Sequence, residues 1–199
     1  MNRVAVLALA AAGMTLGGTA LADAAQAGAV EEVKVGVLAH NICVANCKNA
    51  DKEDGPVVDI QVNFKSPGFL GWAFSPQPYV AIAPNVSGDT SFAAVGLEWT
   101  FEFADGWAIV PGFGYAVHDG EVKNAFPNGD PRATAFASEH VLYGSRDLFR
   151  SSLGLQKEFG DRWTGEITYA HYSHGQILGS GRNQGTDQAG VRIGYRFGD

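Results

Sequence analysis

Hydrophobic and polar residues alternate with period two along most of this chain, and the alternation recurs in eight runs. Successive side chains of a strand point to opposite faces, so each run reads as a strand with one apolar and one polar face. The first is about Val33–His40, with Val33, Val35, Val37 and Ala39 against Lys34, Gly36 and His40. The second, about Val58–Lys65, sets Val58, Ile60, Val62 and Phe64 against Asp59, Gln61, Asn63 and Lys65. The third (about Tyr79–Val86), fourth (Phe92–Phe103) and fifth (Trp107–Val117) continue the pattern, as do the sixth (Phe149–Phe159), seventh (Trp163–Ser173) and eighth (Asp187–Phe197). Pro84 and Pro111 are awkward inside strands and mark bulges or breaks in pairing. No helical stripe of useful length is visible beyond the first residues.

Alternation alone does not say which face looks outward. A soluble barrel would turn the apolar set inside. The polar set argues for the reverse, because it carries Gly36, Gly96, Gly112, Gly114, Gly154, Gly190 and Gly194. Small residues relieve crowding inside a narrow eight-stranded barrel, whereas on a water-facing surface they only weaken strands. The charges of that face have both signs, Lys34, Lys65, Arg192 and Arg196 against Asp59, Glu98, Glu102, Glu158 and Glu166, so an enclosed interior can pair them. The apolar set is bulky and aromatic near strand ends, as a lipid-facing band with interfacial girdles requires. The expected fold is all-β, an eight-stranded antiparallel transmembrane β-barrel of the outer membrane. Ala104-Asp105-Gly106 and Gly160-Asp161-Arg162 read as tight turns, while the links 41–57, 118–148 and 174–186 are long. Short periplasmic turns and longer extracellular loops are the rule in such barrels.

The first residues set the compartment. Arg3 precedes an apolar run, and Ala20-Leu21-Ala22 offers a small-residue cleavage pattern, which together predict a signal peptide over residues 1–22 and a barrel domain over 23–199. The alternative is a helical anchor, but Gly13, Thr15, Gly17, Gly18 and Thr19 dilute the run. Charged residues are 18% of the chain, low for a soluble domain, and the net charge of −7 gives no reason to expect nucleic acid as a partner. Cys43 and Cys47 suggest a small loop disulfide in an oxidising compartment, with a metal pair as the alternative.

Three polar residues stand on the face that otherwise repels them. His171 and Ser173 share parity with Trp163, Ile167 and Tyr169, and Asp187 shares parity with Val191, Ile193, Tyr195 and Phe197. The seventh and eighth strands should be antiparallel neighbours, in which opposed Cβ atoms lie about 5 Å apart. A hydroxyl, an imidazole and a carboxylate in that relation can perform acyl transfer: His171 as base, Ser173 as nucleophile, Asp187 orienting the imidazole. The competing reading is three interfacial polar residues solvated by headgroups. His40 and His118 lie on the polar face and read as interior residues. Arg182, in the last loop, is a candidate contact for a substrate phosphate.

The segment Ala170-His171-Tyr172-Ser173-His174-Gly175, with Asn183-Gln184-Gly185-Thr186-Asp187 and the final strand Val191-Arg192-Ile193-Gly194-Tyr195-Arg196-Phe197, resembles the end of PagL-type lipid A 3-O-deacylases. Tyr143-Gly144-Ser145-Arg146-Asp147-Leu148-Phe149-Arg150 resembles the family's entry into its sixth strand, so the resemblance covers residues 143–197. It implies an outer-membrane esterase that removes the 3-O-linked 3-hydroxyacyl chain from lipid A, its partner being lipopolysaccharide in the outer leaflet, with no cofactor or metal. It places the base at His171, the nucleophile at Ser173 and the acid at Asp187, where the family often has Glu. The family commonly carries Asn after the serine as an oxyanion donor; here His174 stands there, leaving the backbone N–H groups of His174 and Gly175 as candidate donors. A non-catalytic barrel with a structural or binding role, or another lipid-ester hydrolase, is the alternative.

Overall fold

Each alternating run folds as a strand, because pairing satisfies its backbone while parity sorts its side chains. The computed structural model describes residues 28–44 and 47–197; the expected signal peptide, residues 1–22, lies outside them. The strands are β1 (Val30–Ala39), β2 (Pro56–Phe64), β3 (Gln77–Ala83), β4 (Phe92–Glu98), β5 (Phe101–Ala104), β6 (Trp107–His118), β7 (Asp147–Phe159), β8 (Trp163–Ser173) and β9 (Thr186–Arg196). All pairings between them are antiparallel. β4 and β5 both pair with β6 and form one stave in two pieces, so the nine segments make eight staves, closed by β1 against β9.

The prolines explain where pairing departs from the expected runs. The fourth run, Phe92–Phe103, is interrupted at Trp99 and Thr100, beside Pro111. The Pro111 carbonyl accepts from the Trp99 N–H at 2.9 Å, but proline has no amide hydrogen to return. The third run stops at Ala83, one residue before Pro84, rather than reaching Val86. A short helix that the alternation did not reveal, α1 (Pro131–Glu139), lies in the β6–β7 connection. Asp130 caps it by accepting from the Arg132 N–H, and Pro131 opens it. None of its residues is buried, so it has no apolar stripe to betray it.

The polar face is the interior. Lys34, Asp59, Glu98, Glu166 and Arg192 are buried there, whereas Lys65 and Glu102 are exposed at the end of the barrel that carries the tight turns. Lys34 Nζ lies 2.6 Å from Glu98 Oε1 and 2.9 Å from Glu166 Oε2. Arg192 spans Glu166 (2.5 Å), Asp59 (3.3 Å) and the Gln61 amide oxygen (3.0 Å). Gln61 and Asn63 donate to Glu98 at 2.8 and 2.7 Å. The interior glycines make room for this packing. A Cβ at Gly96 or Gly114 would run into the Tyr79 hydroxyl, and one at Gly154 into the Glu166 carboxylate.

Above the charged waist an aromatic layer plugs the end that carries the long loops. Phe92 stacks on Tyr172 (centroids 4.0 Å apart), and His118 leans on Tyr143 (4.2 Å). His40 Nε2 meets Glu53 Oε2 at 3.2 Å, and Glu53 also accepts from the Val141 N–H at 2.9 Å. Burial alone would raise the Glu53 carboxyl, but these hydrogen bonds outweigh it and hold the group below the ordinary carboxylate range. Burial pushes the Tyr143 phenol well above its ordinary value, so it stays a neutral donor. Beyond the plug, Cys43 and Cys47 are joined by a disulfide in the first long loop.

Candidate active site

Interior anchors decide what faces outward. On β9, Thr186 is tied to the Tyr143 hydroxyl at 2.5 Å, and Gln188 donates to His40 Nδ1 at 3.1 Å. With both neighbours held inside, the intervening Asp187 points out. On β8, Tyr172 is stacked inside on Phe92 and accepts from Arg150 Nε at 3.2 Å, which leaves His171 and Ser173 on the outer face. The β8–β9 register sets His171 directly opposite Asp187.

The outcome is a tight imidazole–carboxylate pair: His171 Nδ1 lies 2.6 Å from Asp187 Oδ1. A carboxylate only accepts, so the imidazole proton sits on Nδ1 and Nε2 is left as the basic nitrogen. Tyr169, two residues earlier on the same face, donates its hydroxyl to the same Oδ1 at 2.9 Å. Asp187 is thereby buried although it belongs to the lipid-facing parity, while the His171 side chain keeps about a quarter of its surface, 27%. Ser173 follows His171 on this face, two residues or about 7 Å along the strand. No hydrogen bond joins His171 to Ser173 among the described residues. Across β7, Ser173 faces Phe149, which stacks on Phe113 with centroids 5.4 Å apart.

Gly185 packs against the His171 ring. A Cβ there would stand 2.8 Å from His171 Cε1 and 3.2 Å from His171 Nε2. Gly185→Ala should displace the imidazole, and its Cβ would also press on the Tyr172 carbonyl of β8 at 2.9 Å. If His171 works as a base, kcat falls by about 100-fold, the usual result of misplacing a reacting group by about 1 Å. Heat-modifiable migration on gels would report the intact barrel, and unchanged turnover would show that the ring position is immaterial.

A family model described as Lipid A 3-O-deacylase (PagL) matches residues 91–196, more than half of the chain. The chain belongs to the PagL lipid A 3-O-deacylase family. This is a family of carboxylic ester hydrolases of the outer membrane, and the closed eight-stave barrel agrees with that location. The crystal structure of the outer membrane enzyme PagL is similar in fold, with a TM-score of 0.58 at 13% identity, over 82% of this chain and 98% of that one. The Yersinia pestis outer membrane protein Ail, determined in a phospholipid bilayer nanodisc, gives a TM-score of 0.43 at 12% identity, over 84% of this chain and 99% of Ail. No curated protein sequence matches the chain.

In this PagL-family chain the backbone N–H of His174, a candidate oxyanion donor, donates to Asn183 Oδ1 at 3.3 Å. The His174 side chain is buried. Its Nε2 donates to the Arg182 carbonyl at 3.0 Å and its Nδ1 accepts from the Gln176 N–H at 3.1 Å. It is a staple of the β8–β9 loop. Gly175 sits beside it with φ +60, packed under Phe149. Two polar residues at this site were missed in the sequence. Tyr169 shares the parity of His171 and could have been found from that spacing. Asn183 is brought in by loop conformation, which leaves no periodic trace. Arg182 is exposed on the same loop. Lys52, on the first long loop, is held below its ordinary value by partial burial and by the Arg182 guanidinium, so two cations share this part of the rim.

Proposed function

We propose that this protein removes the ester-linked 3-hydroxyacyl chain at position 3 of lipid A through Ser173, His171 and Asp187. The 2.6 Å pairing of His171 with Asp187 on the lipid side of the barrel carries this reading. His171 Nε2 takes the Ser173 proton as Oγ attacks the ester carbonyl carbon. The tetrahedral intermediate collapses by breaking the bond to the sugar oxygen, which leaves with the proton from His171. Water, deprotonated by the same imidazole, then hydrolyses the acyl-serine and releases the 3-hydroxy acid. Asp187 holds the tautomer and stabilises the imidazolium, with Tyr169 fixing the carboxylate. Catalytic hydrogen bonds often close only around substrate, which accommodates the open His171–Ser173 geometry. The stacked Phe113 and Phe149 beside Ser173 suit the acyl chain, and Arg182 with Lys52 suits a lipid A phosphate.

The developing oxyanion needs donors near Ser173. The Gly175 N–H and the side chain of Asn183 fit this need. Asn183 Oδ1 is spent on the His174 N–H, one peptide unit from Ser173, while its Nδ2 has no hydrogen bond to a described residue. Asn183→Ala should lower kcat by roughly 100- to 1,000-fold, the range for one oxyanion donor. Asn183→Asp keeps an acceptor for the His174 N–H but lacks the donor, so a loss at least as large is expected. An active Asn183→Asp enzyme would reduce Asn183 to a loop anchor.

The mechanism itself is tested by trapping. A long-chain fluorophosphonate should modify the protein once, at Ser173, as read by peptide mass spectrometry, and His171→Gln should prevent it. Labelling elsewhere, or none in a preparation that deacylates lipid A, would refute the assignment.

A further inference from the structure

The connection between β2 and β3 departs from the short turns found elsewhere at its end of the barrel. Between Lys65 and Gln77 the chain reads Ser66-Pro67-Gly68-Phe69-Leu70-Gly71-Trp72-Ala73-Phe74-Ser75-Pro76, with no charged residue. Gly68–Ala73 forms a 3-10 helix of which no residue is buried. Phe69, Trp72 and Phe74 are 76%, 84% and 79% exposed, extreme values for large apolar side chains. Soluble surfaces rarely carry apolar patches of this kind.

Three observations say what covers it. The segment is continuous with the lipid-facing wall: Phe74 packs edge-on against Phe101 (6.3 Å), and Trp99 Nε1 donates to the Ala73 carbonyl at 2.8 Å. Phe101, Phe103 and Trp107 extend the same belt on β5 and β6, at the end that holds the tight turns. The backbone answers itself, Leu70 N–H to Pro67 O, Phe74 N–H to Gly71 O and Ser75 N–H to Leu70 O, as entry into a water-poor layer demands. Phe74 and Ser75 both adopt left-handed φ, +63 and +53, an unusual conformation for a phenylalanine.

We infer that Gly68–Phe74 is a foot that lies flat in the inner leaflet of the outer membrane, with Phe69, Trp72 and Phe74 among phospholipid headgroups and upper acyl carbons. Trp and Phe on an uncharged turn suit that layer, where aromatic residues concentrate in membrane proteins. The foot fixes the depth and tilt of the barrel from the leaflet opposite Ser173. It does not depend on the catalytic reading.

Site-directed spin labelling tests it. Trp72→Cys is labelled with a nitroxide (Cys43 and Cys47 stay paired), and the protein is refolded into phosphatidylcholine–phosphatidylglycerol vesicles. Asp161→Cys in a tight turn and Ile167→Cys on the lipid face serve as aqueous and deep references. The ratio of oxygen to nickel-chelate accessibility at position 72 should exceed that at 161 several-fold and fall below that at 167. A value equal to that at 161 would overturn the inference. So would spin–spin broadening at 72 that disappears on dilution with unlabelled protein, because the patch would then bind a second copy. Phe69→Cys gives the same reading if the position-72 variant does not refold.

Discussion

Ser173→Ala is expected to abolish deacylation, with kcat reduced by about 10⁶-fold, the scale found when the nucleophile of a serine hydrolase is removed. The comparison is lipid A mass spectrometry from cells making the wild-type or the variant protein: wild type should remove one 3-hydroxyacyl chain and the variant none. The barrel should be unaffected, because Ser173 ends β8 on the outer face and the interior anchors lie on its neighbours. Asp187→Asn should retain the geometry but favour the wrong imidazole tautomer, at a cost of about 10⁴-fold in kcat. A Ser173→Ala protein that still deacylates would refute Ser173 as the nucleophile, whereas wild-type protein that removes no acyl chain would favour the non-catalytic reading.

The second large effect concerns the waist. Lys34 lies within 2.9 Å of both Glu98 and Glu166, with Arg192 as their other cationic partner. Lys34→Met should destabilise the folded barrel by about 3–5 kcal/mol, since it leaves the buried carboxylates of Glu98 and Glu166 sharing Arg192 as their one remaining close cation. Urea unfolding in lipid vesicles, followed by tryptophan fluorescence, measures this. The double variant Lys34→Met with Glu98→Gln should recover part of the loss by removing one of the stranded charges. A shift below about 1 kcal/mol in the single variant would mean that the interior is wet enough to screen the pair.

The barrel was legible because lipid and lumen impose opposite demands on alternate residues, and a period-two signal survives even where glycines and charges interrupt it. Parity also exposed His171, Ser173 and Asp187, since a polar residue on the lipid-facing set breaks the rule. Tertiary closure was less legible. The break at Trp99–Thr100 follows from Pro111 on the adjacent stave, a relation visible only once β4, β5 and β6 pair. Helix α1 and the Gly68–Ala73 turn bury nothing and so leave no amphipathic trace, although Asp130-Pro131 was a usable capping signal. Asn183 meets the His174 N–H through a folded loop, and no spacing rule predicts that encounter.

The anchoring of Thr186 and Gln188 from inside has an evolutionary corollary. Which residues meet hydrocarbon depends on odd and even positions relative to these moorings, so one codon inserted between Trp163 and Tyr172, or between Gln188 and Arg196, would turn part of that stave inside out. Indels within β8 and β9 should therefore be confined to pairs, while the outer loops are free to change length by any step.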